Sequence, residues 1–460
     1  MDNASLKPLH WKIWWLSAMG IFLDGFDLFI IGVAMPLIIS MFSPPAHMVG
    51  LIGASALLGA VLGSAVGGPL ADKLGRRSLY IANIIIFIAL SIATAFSWNV
   101  NSLIALRFLL GVGIGSDYPL CASYISAFMP ARLRGRMLIS AFSFQALGMA
   151  TAALFGLLVL IMFPSIHAWR YMLAMGAIPA VIVLIFRLGI PESARWHLSR
   201  GDHKKAAKII GLLLPEKKKE ILALADTAPV ITIAVKTEKP RYRELFSRKY
   251  LSRITLTTVP WFLMDITTYA VGIFTPIILA SMALSGQGLD TVASDFKAVE
   301  GALFLDMFLI IGFVMNILLV DKWGRIRLQL LGFGGMALGL LLMAVSSMIA
   351  PGNISHLLFL IFGFSTFNLM MNMGPNATTF ILPAELYPTK LRGTGHGFSS
   401  AIAKIGAALG IFFLPIIKDL LGTTYSIILL AILTIIAFMT TLLCRIETKG
   451  RSLEEINLGI

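Results

Sequence analysis

Long apolar stretches separated by short polar connections run along almost the whole chain. A helix needs about 20 apolar residues to cross the hydrocarbon core of a bilayer. The stretches that meet this length are twelve, with predicted cores at 13–38, 49–70, 78–97, 102–127, 138–162, 169–190, 254–281, 299–320, 328–349, 354–380, 395–417 and 424–444. The pattern predicts an all-α membrane protein with twelve transmembrane helices.

The connections between these stretches alternate in charge. SPPAH, SWNVN, FPSIHAW and APGNISH contain almost no Lys or Arg, whereas DKLGRR, PARLRGR, DKWGRIR, PTKLRG and RIETKGR are rich in both. Basic residues gather in the cytoplasmic loops of membrane proteins. The second set is therefore predicted to be cytoplasmic, and an even number of spans places both termini on that side.

One long polar segment divides the predicted spans six and six. Residues 191–253 contain the run PEKKKE, and GDHKKAAKIIGLLL within them has the spacing of an amphipathic helix. The predicted organisation is an N-terminal six-helix bundle at 1–190, a cytoplasmic linker at 191–253, and a C-terminal bundle with a short cytoplasmic tail at 254–460. A solvated loop is the simpler interpretation of the linker's basic charge, and contact with anionic lipid is the alternative.

The two halves of the chain repeat each other. GPLADKLGRRSLY (68–80) matches LVDKWGRIRLQL (319–330), MPARLRGRM (129–137) matches YPTKLRGTG (387–395), and IPESARWHL matches RIETKGRSL. Three matches in the same order at similar offsets indicate duplication of a six-span unit. Paired halves of this kind are the architecture of secondary transporters.

Composition supports the membrane assignment and narrows the function. Of 460 residues, 58% are hydrophobic and 13% are charged, and the mean hydropathy is +0.87. The net charge of +14 does not indicate a nucleic-acid partner, because it is concentrated in loops. The sequence contains no P-loop, metal-ligand cluster or nucleophile elbow, so no enzyme activity, cofactor or metal is predicted. An ion gradient must then supply the energy.

The loop motifs resemble those of the major facilitator superfamily. GPLADKLGRR resembles its best-known motif, and the paired PxxxRG loops, PES and ETKGRSLEEI resemble its sugar-porter-like branch. Within that branch, GIGSDYPLCA, WFLMDITTY and GPNATTFILPAE resemble spans four, seven and ten of the proton-coupled phosphate symporters. The resemblance implies two pseudo-symmetric six-helix bundles, a phosphate site between them and a proton-carrying carboxylate beside it.

Three features depart from the phosphate symporter pattern. Ser116 stands where that family has a second Gly, and Ala127 stands where it has a Glu. LDGFDLF (23–29) also resembles the DGxD motif of the aromatic-acid:proton symporters. Proton-coupled import of phosphate by alternating access is the leading hypothesis, and symport of a sugar or of an organic or aromatic acid is the alternative. A sensor that binds without transport is disfavoured by the short predicted tails.

The resemblance also implies the partners. These are a small anion, protons and the lipid bilayer, with no nucleic acid, and the predicted protein is a monomer in the plasma (inner) membrane. Sodium in place of protons is the alternative coupling ion, although the carboxylates inside the spans show no obvious oxygen cage for it.

Ionisable residues inside spans face the bundle interior or a water-filled cavity, and they mark functional sites. The predicted set is Asp24, Asp27, Arg107, Asp117, Asp265, Asp306 and Lys404. Asp117 is central, because a protonated carboxyl donates a hydrogen bond to phosphate whereas an ionised one repels it, which couples proton and anion binding. The simpler alternative is a structural carboxyl held by local hydrogen bonds, for example from Ser116. Asp306 matches no family position and has no assigned role.

Further polar residues complete the predicted substrate site. Trp261, Asp265 and Tyr269 share one helix face at steps of four residues. Gly374-Pro375 is expected to break the helix just before Asn376 and to free backbone groups beside its amide side chain. Lys404 is either a phosphate partner or a structural partner of Asp265 or Asp306. The predicted substrate contacts are Asp117, Tyr118, Gln145, Trp261, Asp265, Tyr269, Asn376 and Lys404.

The predicted proton-coupling residues are Asp24, Asp27, Arg107 and Asp117. Asp24 and Asp27 stand one turn apart on a shared face, where two carboxylates in a low dielectric do not both ionise. Their alternative role is to pair with arginine in a gate. Arg107 lies about 15 Å along the helix from Asp117, too far to pair with it. It is expected either to pack near the outer end of its span or to pair with Asp24 or Asp27.

The basic loop motifs are interpreted as gating elements. Their charged residues are expected to form ion pairs and helix-end contacts that hold one conformational state. The predicted gating residues are Asp72, Arg76, Arg77, Arg134, Asp321, Arg325, Glu385 and Arg392.

Overall fold

The computed structural model of the chain is built from α-helices. The structure describes residues 7–129, 131–192, 194, 197, 201–213, 216, 218–227, 242–282, 291–350, 353–387 and 392–449. No strand is present among those residues.

The helices follow the predicted stretches in order. The first half contains α1 (Pro8–Phe42), α2 (Ala46–Leu74), α3 (Arg76–Ala95), α4 (Val100–Phe128), α5 (Ala131–Phe142), α6 (Phe144–Met162), α7 (Ala168–Met175) and α8 (Ala177–Arg187). The predicted linker contains α9 (His203–Leu213), α10 (Lys218–Thr227) and α11 (Tyr242–Leu245). The second half contains α12 (Leu251–Met282), α13 (Thr291–Trp323), α14 (Arg325–Met348), α15 (Ile354–Met373), α16 (Pro375–Leu386) and α17 (Arg392–Leu443).

The helices show that the chain is a multi-pass membrane protein. Within the described residues, 10 helices are long and apolar enough to cross a membrane. Breaks at Ser143, Gly176 and Gly374 divide three of the predicted spans. Gly422, with φ 84°, interrupts the 52-residue α17, which covers the last two predicted spans. The count of twelve spans and the cytoplasmic termini stay predictions.

Glycines bring α2 and α4 into backbone contact. A Cβ atom at Gly111 would overlap the carbonyl oxygen of Ala56, and one at Gly115 would overlap that of Ala60. Gly113 differs, because a Cβ there would make only ordinary contacts of 3.7 Å. Small residues permit such close approach in membrane helices, where packing replaces the hydrophobic effect.

The two halves meet along α1 with α12, α2 with α17, and α6 with α13. Far from the basic loops, glycines close this interface, because a Cβ at Gly32 would overlap the Ile273 carbonyl and one at Gly50 the Phe412 carbonyl. Nearer the basic loops, the ring of Phe142 stacks on that of Phe380 with centroids 4.7 Å apart. Gln145 and Tyr269, described below, lie along their helices between these two layers of contact.

Two glutamates cap matching helices at the basic end, which is the end carrying Arg77 and Arg325. Glu192 Oε2 accepts a hydrogen bond from the Arg77 backbone N–H at 2.8 Å. The Glu447 carboxylate accepts from the backbone N–H groups of Arg325 and Ile326 at 3.0 and 3.1 Å. Free N–H groups and the helix dipole stabilise a carboxylate at a helix N-terminus. Neither glutamate was predicted to have a role, although both lie in the repeated segments.

The predicted gating residues are partly brought together. The Arg325 guanidinium pairs with Glu385 of α16 at 3.0 Å and with Asp321 near the end of α13 at 3.4 Å. Arg77 instead donates from its guanidinium to the Leu188 carbonyl oxygen at 2.9 Å. The predicted side chains that lie outside the described residues are Asp72, Arg76, Arg134 and Arg392.

The amphipathic helix predicted in the linker is confirmed as α9. Ala206, Ala207 and Ile209 are buried on one side of it, while Lys204 and Lys205 are exposed. The pattern matches a helix that lies with one face against the rest of the protein.

Because Glu447 caps α14 beside Gly324, we expect alanine to destabilise the protein more at Gly324 than at Gly422. Gly324 and Gly422 have φ of 92° and 84°, with ψ of 164° and 168°. A side chain in that region costs on the order of 1–3 kcal/mol. A Cβ at Gly324 would also lie 2.6 Å from the Glu447 carboxylate, whereas a Cβ at Gly422 meets nothing within 4 Å. We expect both Gly→Ala variants to lower the apparent melting temperature of the purified protein, and Gly324→Ala to lower it more. Equal losses would show that the cap adds no stability.

Candidate functional site

A small cavity lined by both apolar and polar side chains lies between the two halves. Asp24 and Gln145 line it from the first half, and Tyr269, Ser400 and Lys404 line it from the second. The cavity volume is about 20 Å³, which is room for about one water molecule. Four of the predicted site residues, Asp24, Gln145, Tyr269 and Lys404, therefore line the same cavity.

The hydroxyl group of Tyr269 joins the two halves at this cavity. Its oxygen accepts a hydrogen bond from Gln145 Nε2 of α6 at 3.1 Å and another from Lys404 Nζ of α17 at 3.1 Å. The Lys404 ammonium also lies 3.7 Å from Asp265 Oδ2. The expected pairing of Lys404 with Asp265 is thus present.

The predicted row on the seventh span is buried along one face of α12. Trp261 precedes Asp265 by one turn and packs edge-on against the rings of Phe380 and His396, at centroid distances of 6.2 and 5.9 Å. His396 Nε2 lies 3.1 Å from the Phe380 carbonyl oxygen. His396 was not predicted, although a histidine within the small-residue run GTGHGF was a visible signal.

The predicted helix break before Asn376 is confirmed. Residue Gly374 separates α15 from α16, and Asn316 Nδ2 donates to the freed carbonyl oxygen of Met373 at 2.6 Å. Asn376 Nδ2 donates to Asn372 Oδ1 at 2.7 Å. Asn376 is buried at this break but does not line the central cavity.

The two aspartates of α1 have different partners. Arg107 lies 3.1 Å from Asp27 Oδ2 and donates to Oδ1 and to the backbone carbonyl oxygen of the same residue at 3.2 Å. Both side chains are at most 2% exposed. Asp24 points to the cavity, and its Oδ2 has no hydrogen-bond partner among the described residues. Of the two partners left open for Arg107, the structure selects Asp27.

Asp117 pairs with an arginine that was not predicted. Arg187 NH1 and NH2 donate to the two carboxylate oxygens of Asp117 at 3.1 and 2.9 Å. In the alternative of a carboxyl held by local hydrogen bonds, Ser116 is not the donor, because its hydroxyl donates to the backbone carbonyl oxygens of Gly63 and Val112. Cys121, one turn along α4, is the local donor, with Sγ 3.7 Å from Asp117 Oδ2. Arg187 lies at the end of the sixth predicted span beside a basic loop, where an arginine usually extends to water. The predicted neighbour Tyr118 has a side chain outside the described residues.

Comparison with known proteins places the chain in a family. A family model described as "Sugar (and other) transporter" matches residues 14–459. The chain belongs to this family. It is 32% identical over 492 residues to "Putative inorganic phosphate transporter 1-13" of Oryza sativa subsp. japonica, covering 99% of this chain and 92% of that one. It is 32% identical over 525 residues to "Low affinity inorganic phosphate transporter 8" of Medicago truncatula, with coverage of 99% and 92%.

Solved structures show the same fold. The xylose transporter XylE from E. coli in a partially occluded inward open conformation aligns with a TM-score of 0.76 at 20% identity, covering 97% of this chain and 100% of that one. The major facilitator superfamily proton:xylose symporter XylE bound to 6-bromo-6-deoxy-D-glucose aligns with a TM-score of 0.75 at 21% identity, with coverage of 97% and 98%. The chain therefore has the major facilitator fold. Its membership of the transporter family makes it a membrane transporter and not an enzyme.

A larger cavity of about 230 Å³ lies at the end of the transporter opposite the basic loops. Most of its lining side chains are apolar, and its charged members are Lys418 and Asp419. It contains none of the predicted site residues.

Within the described residues, no cluster of three His, Cys, Asp or Glu side chains suits a metal ion. The small cavity lined by Asp24, Gln145, Tyr269 and Lys404 is therefore the candidate substrate site.

The buried Asp27–Arg107 pair predicts a coupled loss of stability. Removing one partner of such a pair costs about 3–5 kcal/mol, because the other charge is left buried. We expect Asp27→Asn to lower the apparent melting temperature strongly, and Asp27→Asn/Arg107→Gln to recover part of the loss. The single variant Arg107→Gln completes the cycle. Losses in the two single variants that simply add in the double variant would show that the pair is not energetically coupled.

Proposed function

We propose that the chain is a secondary active transporter that imports inorganic phosphate together with protons by alternating access. The observation that carries this proposal is the convergence of Gln145, Tyr269 and Lys404 from opposite halves beside buried carboxyl groups. The named phosphate transporters that cover almost the whole chain support the same substrate.

The donors around the cavity suit an oxyanion. Lys404 supplies an ammonium group, Gln145 an amide N–H and Tyr269 an O–H group at the cavity. Trp261, which does not line the cavity, supplies an N–H group on the same face of α12. Hydrogen bonds from a charged donor to phosphate are about twice as strong as bonds between neutral groups. We propose that these residues contact the phosphate, together with Asp265 and with Tyr118 and Asn376 from the family pattern.

Substrate entry requires movement of the two halves. A cavity of about 20 Å³ is smaller than a phosphate ion. The bond from Gln145 to Tyr269 joins the two halves, and the bond from Lys404 to the same hydroxyl lies within the second half. We propose that phosphate replaces both bonds as it enters. Binding then changes the contacts that hold this conformation, which is the requirement for a ligand to shift a conformational equilibrium.

The carboxyl groups supply the coupling to protons. Ionised Asp24 and Asp117 repel an anion at the neighbouring cavity, and a proton on either one reduces that repulsion. Each ligand then favours the other by the same factor. We propose that Asp24, Asp27, Arg107 and Asp117 form the proton-coupling set. Within it, Asp27 and Arg107 are held together as a buried ion pair.

The basic end is proposed to face the cytoplasm. On that side the contacts of Arg325 with Glu385 and of Arg77 near Glu192 would break and reform during the cycle. The proposed arrangement is a monomer in the plasma (inner) membrane, with bundles at 1–190 and 254–460 joined by the linker at 191–253.

Radiolabelled phosphate uptake into proteoliposomes tests this function. We expect uptake driven by an acid-outside pH gradient, lost with a protonophore, and lost in Asp117→Asn. Tyr269→Phe should reduce the apparent affinity for phosphate about tenfold or more, because a hydrogen bond to a charged group contributes about 1.5–3 kcal/mol. Tyr425→Phe is the matched control, since Tyr425 is 65% exposed on α17.

Competing substrates decide between the leading hypothesis and its alternative. Excess xylose or benzoate should leave phosphate uptake unchanged, while arsenate, which has the same shape and charge, should inhibit it. Absence of phosphate uptake at any pH, or gradient-driven uptake of xylose or benzoate instead, would contradict the proposal.

A further inference from the structure

We propose that Arg187 is the resident counter-cation of Asp117 and a positioning residue that sets the pH range over which transport is coupled to protons. The inference rests on the proposed proton-coupled transport. It assigns a role to an arginine on α8, outside the donors that surround the cavity.

The Arg187 guanidinium is held in place independently of Asp117. It is 1% exposed, NH1 donates to the Tyr80 carbonyl oxygen at 3.1 Å, and Cζ lies 3.4 Å from the centroid of the Tyr80 ring. The Tyr80 hydroxyl donates to the Leu16 carbonyl oxygen at 3.2 Å, which fixes the ring. The cation therefore has partners that remain when Asp117 takes up a proton.

Gly20 of α1 lies directly against the ion pair of Asp117 and Arg187. A Cβ atom at Gly20 would lie 2.5 Å from Arg187 NH2, 2.6 Å from Asp117 Oδ2 and 2.9 Å from Cys121 Sγ. Only a residue without a side chain fits at this point of α1 while the two-bond pair is formed. A packing role for Arg187 over the Tyr80 ring alone would not place the glycine against both partners.

Titratable groups on the surrounding helices also face the pair. Asp24 of α1 interacts electrostatically with Asp117, with Arg187 and with Lys404 of α17. From α4, Cys121 Sγ lies 3.7 Å from Asp117 Oδ2, and from α3 the Tyr80 hydroxyl lies 3.2 Å from Cys121 Sγ. The pair is therefore electrostatically linked to the cavity.

A charge count shows why Arg187 matters for coupling. Around the cavity stand three carboxyl groups, Asp24, Asp117 and Asp265, and two cations, Arg187 and Lys404. If all are ionised, one negative charge is in excess, and an entering phosphate anion adds more. Uncompensated charge is costly in a low dielectric, so a proton must accompany the anion. Without Arg187 the excess would already be two charges.

The proton transfer itself is simple. A proton from water on one side adds to the Asp117 carboxylate, ends its ion pair with Arg187, and returns to water on the other side. A neighbouring cation favours the ionised carboxylate. Arg187 therefore opposes proton uptake by Asp117, and its removal makes that uptake easier.

Initial rates of gradient-driven phosphate uptake, measured against external pH, test this role. We expect the pH of half-maximal uptake in Arg187→Gln to rise by about one unit or more, which is a tenfold change in proton affinity. Arg187→Lys keeps the charge and should shift less. Arg170→Gln is the matched control, because Arg170 also stacks on a ring, that of Trp169, and donates to the Ala95 carbonyl oxygen. Its profile should match wild type.

A second readout needs no transport. The stability lost in Arg187→Gln, followed as apparent melting temperature, should be largest where Asp117 is ionised and should shrink as the pH falls and Asp117 is protonated. In an Asp117→Asn background the pH dependence of that loss should vanish. If Arg187→Gln cannot be purified, Gly20→Ala, which displaces the pair without deleting a charge, is compared with wild type in the same two assays.

Two outcomes separate this inference from the proposed function. Wild-type protein that shows no phosphate uptake contradicts the function, while a pH-dependent stability loss in Arg187→Gln still supports the ion pair. Unchanged half-maximal pH in Arg187→Gln, together with a stability loss that does not vary with pH, would overturn the role of Arg187 and leave it as a packing residue.

Discussion

Neutralisation of charge inside an apolar bundle is the constraint on which the centre of this transporter depends. A buried ion pair is tolerated only when both partners are well placed and hydrogen-bonded. Asp27 meets this condition through Arg107, and Asp117 meets it through Arg187. Lys404 is shared between Asp265 and the hydroxyl of Tyr269. Asp24 stands between these groups with one carboxylate oxygen unbonded among the described residues. An added anion or proton therefore changes the balance of the whole group.

Among the described residues, the repeat in the sequence gives matching helix caps at the basic end of the two halves. Glu192 and Glu447 cap α3 and α14 in the same way. In the second half, Glu385 also binds the Arg325 guanidinium. Ala127 stands at the matching position of the first half. The carboxylate that binds the Arg325 guanidinium therefore has no counterpart in the sequence of the first half.

Sequence reasoning predicted what depends on length and periodicity. Bilayer thickness fixes the length of an apolar stretch, so the helices were found, and helical geometry put Trp261, Asp265 and Tyr269 on one face. Gly374-Pro375 predicted its break. The break at Ser143 has no proline after it and was missed, and the break at Gly176 was missed although Pro179 follows it in the first turn of α8. Partner choice was beyond reach, because Asp24 and Asp27 share a face and only tertiary packing brings Arg107 to one of them. Arg187 was missed for the same reason, since its partner lies 70 residues away in the chain.

The central claim is that buried carboxyl groups and the donors of the small cavity bind an anion and a proton together. Equilibrium binding of radiolabelled phosphate to the purified transporter at two pH values tests it most directly, without a membrane gradient. Binding is predicted to be tighter at the lower pH in the wild type, and to be lost at both pH values in Lys404→Met. Binding that is equally tight at both pH values, or that survives in Lys404→Met, would contradict it.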